Sequence, residues 1–327
     1  MRPAGPLRTL LLLATVGAAL LGYGCGDSGE TAGRAAPPAT EFPSAKGKTI
    51  PELIEGSGAK KTDLVIAPAA QAFELGPNRY PFGVFTVGNE QVSDADVALY
   101  FAKDGHSPVQ GPLPAAVSSL ETKPAYRAQG SEGPGEAKSV YVVPKVDFDR
   151  KGPWLAVAML KGSKGLEASV VPSPVVGSDP SVVKVGEKAP TIHTPTAADV
   201  GGDLAKIDTR VPPDQMHKVD FADVVGKKPV VLVFATPALC QSRVCGPVVD
   251  EVQQVADKYG SQADFIHMEV YNENDAGKGI RPQLRAFGLR TEPWTFLVDR
   301  DGIVRDRIEG AYGVAELEAA LKTILPG

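Results

Sequence analysis

Sulfur and imidazole are scarce in this chain. Its 327 residues include three cysteines and four histidines. Thiol chemistry therefore rests on Cys240 and Cys245, because Cys25 lies at the edge of an N-terminal apolar segment. Between residues 61 and 180 there is no cysteine and one histidine, His106, which argues against a metal or catalytic site in that half. Positive charge is not in excess: 34 Lys and Arg against 39 Asp and Glu give a net charge of −5. No basic stripe is visible, so nucleic acid is not an expected partner. Long apolar runs are also missing. The run from Leu10 to Leu21 has the length of a signal-peptide core and is too short for a comfortable membrane span.

What is present divides the chain into four parts. Arg2 and Arg8 precede the apolar run, and small residues lead to Cys25. Residues 1–25 thus read as an export segment. The placement of Cys25 resembles the lipidated cysteine of bacterial lipoproteins, although Gly22 stands where their motif usually has leucine. The resemblance implies a lipid anchor at Cys25 and a position on the outer face of a cell membrane or in the cell envelope. Outside the cytosol a close cysteine pair can rest as a disulfide. Residues 26–60 are rich in Gly, Ser, Ala, Pro and charge and read as a flexible tether.

Residues 61–182 carry short apolar runs, among them Leu64–Ile66, Phe82–Phe85, Val97–Phe101, Val140–Val143, Trp154–Leu160 and Leu166–Val171. Gly, Pro, Asn and Asp separate them. The pattern predicts an all-β, immunoglobulin-like sandwich, with a long loop from Gly105 to Gly135, acting as a structural or partner-binding module.

Residues 183–327 change to an α/β pattern. Val230–Ala235 is a continuous apolar run, as expected of a strand buried on both faces. Val248, Val252, Val255 and Tyr259 follow at helical spacing. Phe265–Val270 and Thr295–Val298 read as further strands, Asp301-Gly302 as a hairpin turn, and Val314, Leu317, Leu321 and Ile324 as the inner stripe of a last helix.

The cysteine pair lies just after the first of these strands, in Thr-Pro-Ala-Leu-Cys240-Gln-Ser-Arg-Val-Cys245-Gly-Pro247. Helix geometry constrains it. Residues three apart on a helix have Cα atoms about 5 Å apart, and residues five apart about 8.6 Å. A disulfide needs less than about 7 Å. The two cysteines therefore cannot bridge within one intact helix. Either they occupy a loop before the helix, or oxidation unwinds a turn. Pro247 suits a first helical turn, and a redox-dependent rearrangement over residues 238–247 is expected.

The element order, the cysteine pair and Gly186-Glu-Lys-Ala-Pro190 resemble the thioredoxin-like superfamily over residues 184–327. The resemblance implies that Pro293 is the family's cis-proline beside the redox cysteines, with Glu292, Pro293 and Trp294 at the substrate-binding edge. It implies that Cys240 attacks a substrate disulfide and Cys245 resolves the adduct, with Arg243 and a following helix N-terminus favouring the thiolate. Glu292 would oppose this if it faced the sulfur. The Cys-x4-Cys spacing is also similar to the peroxiredoxin Q type. There, however, threonine stands three residues before the reactive cysteine, whereas Thr236 stands four before Cys240. That family's arginine is replaced by Pro293, leaving Arg243 or Arg290 as substitutes.

Three functions stay open: extracytoplasmic thiol–disulfide exchange with protein thiols or a redox partner protein, peroxide reduction, and a non-enzymatic binding protein with a structural disulfide. No cofactor is expected. No metal is expected either, because the copper carriers of this superfamily use a late histidine and none occurs near the last strands. His193 and His217 read as solvated loop residues, His267 as a mid-strand residue facing either way, and Asn272–Asp275 as a polar loop.

Overall fold

The computed structural model describes residues 1, 33–129, 137–162, 165–240 and 242–325. Cys25 and the expected export segment lie outside the described residues. Among the described residues no helix is long and apolar enough to cross a membrane.

Among the described residues the N-terminal part holds one α-helix, α1 (Ile50–Ser57), and eleven strands. They are β1 (Lys60–Lys61), β2 (Val65–Pro68), β3 (Gly76–Phe85), β4 (Asp96–Ala102), β5 (Gln110–Pro114) and β6 (Ala116–Ser119), then β7 (Ser139–Phe148), β8 (Gly152–Pro153), β9 (Leu155–Gly162), β10 (Gly165–Val171) and β11 (Val175–Val176). One sheet runs β1-β10-β9-β4-β5 and another β2-β3-β7-β6, while β8 and β11 form a small ribbon. Side chains from both large sheets share one core: Tyr80, Phe82 and Phe148 meet Val97, Leu99 and Phe101. The aromatic rings interlock, with Tyr80 against Phe101 at 5.1 Å and Phe101 against Phe148 at 5.5 Å between centroids.

Two expectations fail here. The tether does not extend to residue 60. Thr49 and Glu52 form a reciprocal capping box at the start of α1, and Gly58 ends it in the left-handed conformation. The helix buries Ile50 and Leu53, together with Phe42 and Ala45, on Tyr100, Val157 and Met159 of the five-stranded sheet. Nor is Gly105–Gly135 one long loop, since it contains β5 and β6. Pro112 interrupts β5 without breaking it because β5 is an edge strand, paired on one side only.

The C-terminal part is the expected α/β layer. Its elements are α2 (Phe221–Val224), β12 (Val230–Phe234), α3 (Cys245–Tyr259), β13 (Asp264–Met268), α4 (Pro282–Ala286), β14 (Trp294–Val298), β15 (Val304–Glu309) and α5 (Val314–Leu321). The sheet order is β13-β12-β14-β15, with β12 parallel to β13 and antiparallel to β14. Every residue of β12 is fully buried, because α3 and α5 cover one face and α2, α4 and the 182–192 segment the other. Burying five apolar side chains at about 1.5–3 kcal/mol each makes this strand a main source of domain stability. The hairpin joining β14 to β15 turns at Gly302, with φ +79°, and the Asp299 carboxylate accepts from the Asp301 and Ile303 amides at 2.9 Å.

The two parts are docked. Arg79 on β3 donates to both Glu316 oxygens at 2.5 and 2.9 Å and to the Glu309 and Ala311 carbonyls at 3.2 and 2.6 Å. Glu309 in turn accepts from the Gln71 and Ala72 amides at 3.0 and 2.8 Å. At Gly310 (φ +79°) a Cβ would lie 2.2 Å from the Ala69 carbonyl oxygen, so only glycine allows this approach. Leu120, Val140 and Val142 complete the core formed by α3 and α5.

Candidate functional site

Cys240 and Cys245 are joined by a disulfide, with Cα atoms 6.0 Å apart. The geometric conflict is resolved by leaving Cys240 in the loop after β12 and making Cys245 the first residue of α3. Arg243 adopts φ +56°. This left-handed residue turns the chain back so that Cys245 can approach Cys240, and Pro247 occupies the first helical turn as expected.

The two sulfurs have different surroundings. Cys245 is fully buried, whereas Cys240 is partly exposed. The Ser242 hydroxyl lies 3.2 Å from Cys240 Sγ. Sequence reasoning missed Ser242, although a hydroxyl two residues after the cysteine is the only signal that could have pointed to it. Arg243 is exposed between the cysteines.

Pro293 follows a cis peptide bond, as the resemblance implied. The antiparallel register brings it to the redox loop: Trp294 pairs with Phe234, so the residues just before Trp294 run alongside those just after Phe234. The Thr236 amide hydrogen-bonds Glu292. One Glu292 oxygen lies 3.7 Å from Cys245 Sγ and the other accepts from the Tyr271 hydroxyl at 3.5 Å. Burial, reinforced by the Glu269 carboxylate, raises Glu292 from 4.5 to about 7, against the pull of the Thr236 amide and Tyr271. Glu292 therefore does face a sulfur, and that sulfur belongs to Cys245.

Trp294 is not at a substrate edge. It is 2% exposed, stacks on Phe296 at 5.7 Å between centroids, and donates from Nε1 to the Thr291 hydroxyl at 2.9 Å. Both faces of β14 are buried, so the strand carries Trp294 into the core directly after Pro293. Thr236 is also buried, and Arg290 extends towards Asp179, 3.8 Å away.

His193 is exposed, with Nδ1 2.7 Å from Asp220. His217 is not solvated. It is 3% exposed, with its ring 5.3 Å from that of His267, which is itself buried. The burial follows from the 197–217 segment folding under the redox loop, where the Ala238 amide donates to Thr209 Oγ1 at 3.1 Å.

A cleft between the two parts of the molecule is lined by neighbours of the disulfide and not by the cysteines themselves. Its volume is roughly 440 Å³, with Ser242, Val244, Glu292 and Pro293 on one wall and Ala67–Gln71 and Ser139–Val140 on the other.

A family model described as a thioredoxin-like domain matches residues 218–325. These residues form a thioredoxin-like domain. Two solved structures resemble the chain. One is a thiol:disulfide interchange protein of the thioredoxin family from Chlorobium tepidum TLS, 18% identical, covering 44% of this chain and 100% of its own, with a TM-score of 0.32. The other is a thio-disulfide isomerase from Thermus thermophilus, 24% identical, covering 44% of this chain and 100% of its own, with a TM-score of 0.28. No curated protein matches the chain in sequence.

Proposed function

We propose that the chain is an extracytoplasmic thiol–disulfide oxidoreductase, acting on protein disulfides or on a redox partner protein. The observation that carries this reading is the asymmetric disulfide in a thioredoxin-like domain: Cys240 partly exposed, Cys245 buried against a carboxylate. The Cys240 thiolate attacks one sulfur of a substrate disulfide. A Cys240–substrate bond forms and the other substrate sulfur leaves as a thiolate. Cys245 then loses its proton and attacks Cys240 Sγ. The internal disulfide re-forms and the substrate departs with both sulfurs reduced. Glu292, raised to about 7 and 3.7 Å from Cys245 Sγ, is placed to take that proton. The Ser242 hydroxyl is placed to donate to the Cys240 thiolate.

The cleft beside Ser242, Glu292 and Pro293, walled by residues of β2 and β7, suits a substrate disulfide on an extended or protruding segment. We further propose export with lipid anchoring at Cys25, and an immunoglobulin-like sandwich for the N-terminal unit.

The test has two parts. Insulin reduction with a thiol donor should proceed with the native protein and stop with Cys240→Ser. Cys245→Ser should trap a mixed disulfide with substrate that Cys240→Ser does not form. Peroxide-dependent thiol consumption without insulin reduction would overturn the proposal in favour of a peroxidase. A disulfide resistant to mild reductant would make it structural.

A further inference from the structure

Beneath the redox loop lies a second constellation that the disulfide chemistry does not use. Asp208, Asp214, His217 and His267 are all buried, and one potential ligand atom from each lies within 4.8 Å of all the others. Three come from the loop before α2, where Asp214 and His217 are three residues apart, and the fourth from mid-β13. We propose that these four side chains bind one divalent metal ion of the zinc class.

The hydrogen bonds around the cluster orient it for this. His267 Nε2 donates to the Ala235 carbonyl at 3.0 Å. A histidine that ligates a metal almost always gives its other ring N–H to such an acceptor. Its Nδ1 faces Asp214 Oδ2 at 2.7 Å, a hydrogen-bond separation that holds a proton, which an incoming metal ion would displace as the two atoms move apart. The carboxylates are held from outside: Asp208 accepts from the Arg210 and Asp214 amides at 2.8 and 2.6 Å, and Asp214 from the Met216 amide at 2.7 Å.

His217 supplies the independent observation. It is 3% exposed and its Nε2 has no hydrogen-bond partner. That atom points at Asp208 Oδ2 and Asp214 Oδ1 from 3.4 and 3.5 Å. Both separations are long for a charge-assisted hydrogen bond, which runs about 2.7–2.9 Å. They match a coordination shell instead, since ligand atoms about 2.0–2.1 Å from a tetrahedral zinc stand about 3.3–3.4 Å apart. His267 Nδ1 lies 3.8 Å from Asp208 Oδ1. Two imidazoles and two carboxylates suit zinc in type and in number, and the two aspartates balance its charge. Four protein ligands leave no open position, so the ion is structural. It would join the 208–217 loop to β13, whose His267 holds Ala235 five residues before Cys240.

The test uses the full chain, stripped with chelator, with the disulfide closed, and in parallel a Cys240→Ser/Cys245→Ser variant that removes thiol ligands. Titration with zinc chloride should give one saturable site per chain in both. His217→Gln should weaken it by more than about 100-fold, whereas His193→Gln, on an exposed histidine, should leave it unchanged. His217→Gln sacrifices no hydrogen bond at Nε2, so it keeps the fold, which circular dichroism checks. Cobalt(II) at the site should show the intense visible spectrum of tetrahedral coordination. Absence of a saturable site in the wild-type chain overturns the proposal, as does equal affinity in His217→Gln. An octahedral cobalt spectrum would overturn the four-ligand shell.

Discussion

Replacing Glu292 by Gln separates the electrostatic part of the site from its shape. In the folded protein the carboxyl titrates near 7, against an ordinary value of 4.5. The folded state therefore binds its proton more tightly than the unfolded state. A carboxyl raised in this way destabilises the fold as pH rises: the cost begins near pH 4.5, grows up to about 7, and is constant above. The difference of about 2.5 in pKa corresponds to at most about 3 kcal/mol at pH 8 and about 1 kcal/mol at pH 5. Glutamine keeps the size and hydrogen-bonding capacity but never ionises. With the disulfide closed in both proteins, Glu292→Gln should be more stable than wild type at pH 8, by about 2 kcal/mol more than its advantage at pH 5. Urea unfolding at the two pH values measures this. A stability difference of the same size at both would refute the placement of a buried, titrating carboxylate beside Cys245. The same variant should slow the resolving step, because the group that accepts the Cys245 proton is gone. That loss should be greatest above pH 7, where Glu292 is ionised in the wild type.

The other expectations concern neighbouring contacts. Ser242→Ala removes a hydrogen bond to a charged sulfur at an exposed position, worth about 1 kcal/mol; the Cys240 thiol pKa should rise by about 0.5–1, read from the pH dependence of iodoacetamide alkylation in a Cys245→Ser background, and an unchanged profile would remove Ser242 from the mechanism. Arg79→Ala leaves Glu316 and two carbonyls without their shared donor; it should destabilise the docking of the two parts by about 2 kcal/mol, splitting the denaturation curve into two transitions, and a single unshifted transition would contradict the interface.

Much of the C-terminal domain was legible because its signals are local. The apolar run of β12, the helical stripe of Val248, Val252 and Val255, and the Asp301-Gly302 turn each depend on a few adjacent residues. The five-residue separation of the cysteines was enough to exclude a bridge within one helix, and Cys240 indeed remains outside α3. Trp294 was misjudged for a physical reason. Both faces of β14 are buried, so hydrophobic alternation carries no information about which way each side chain turns. His217 was misjudged because its burial depends on a loop folding back over β13, a contact fifty residues distant in sequence. The 26–60 segment was judged by composition, which concealed the Thr49–Glu52 capping box and the Phe42, Ile50 and Leu53 side chains that fix it to the sheet. Domain docking left little local mark beyond Gly310 and Gly313, where Ala69 and Ser119 approach the backbone.

That docking bears directly on the chemistry. Ala67–Gln71 and Ser139–Val140 face Ser242, Val244, Glu292 and Pro293 across the cleft, and the backbone of residues 71–72 is fixed to Glu309 beside it. Glu292 lines the same cleft as this wall, and desolvation is the first cause of its shift. The docked wall is expected to supply part of that desolvation, and the interface variant tests this. Loosening the interface at Arg79 would hydrate Glu292 and lower its pKa towards 4.5, so the pH dependence of stability contributed by Glu292 should shrink in Arg79→Ala.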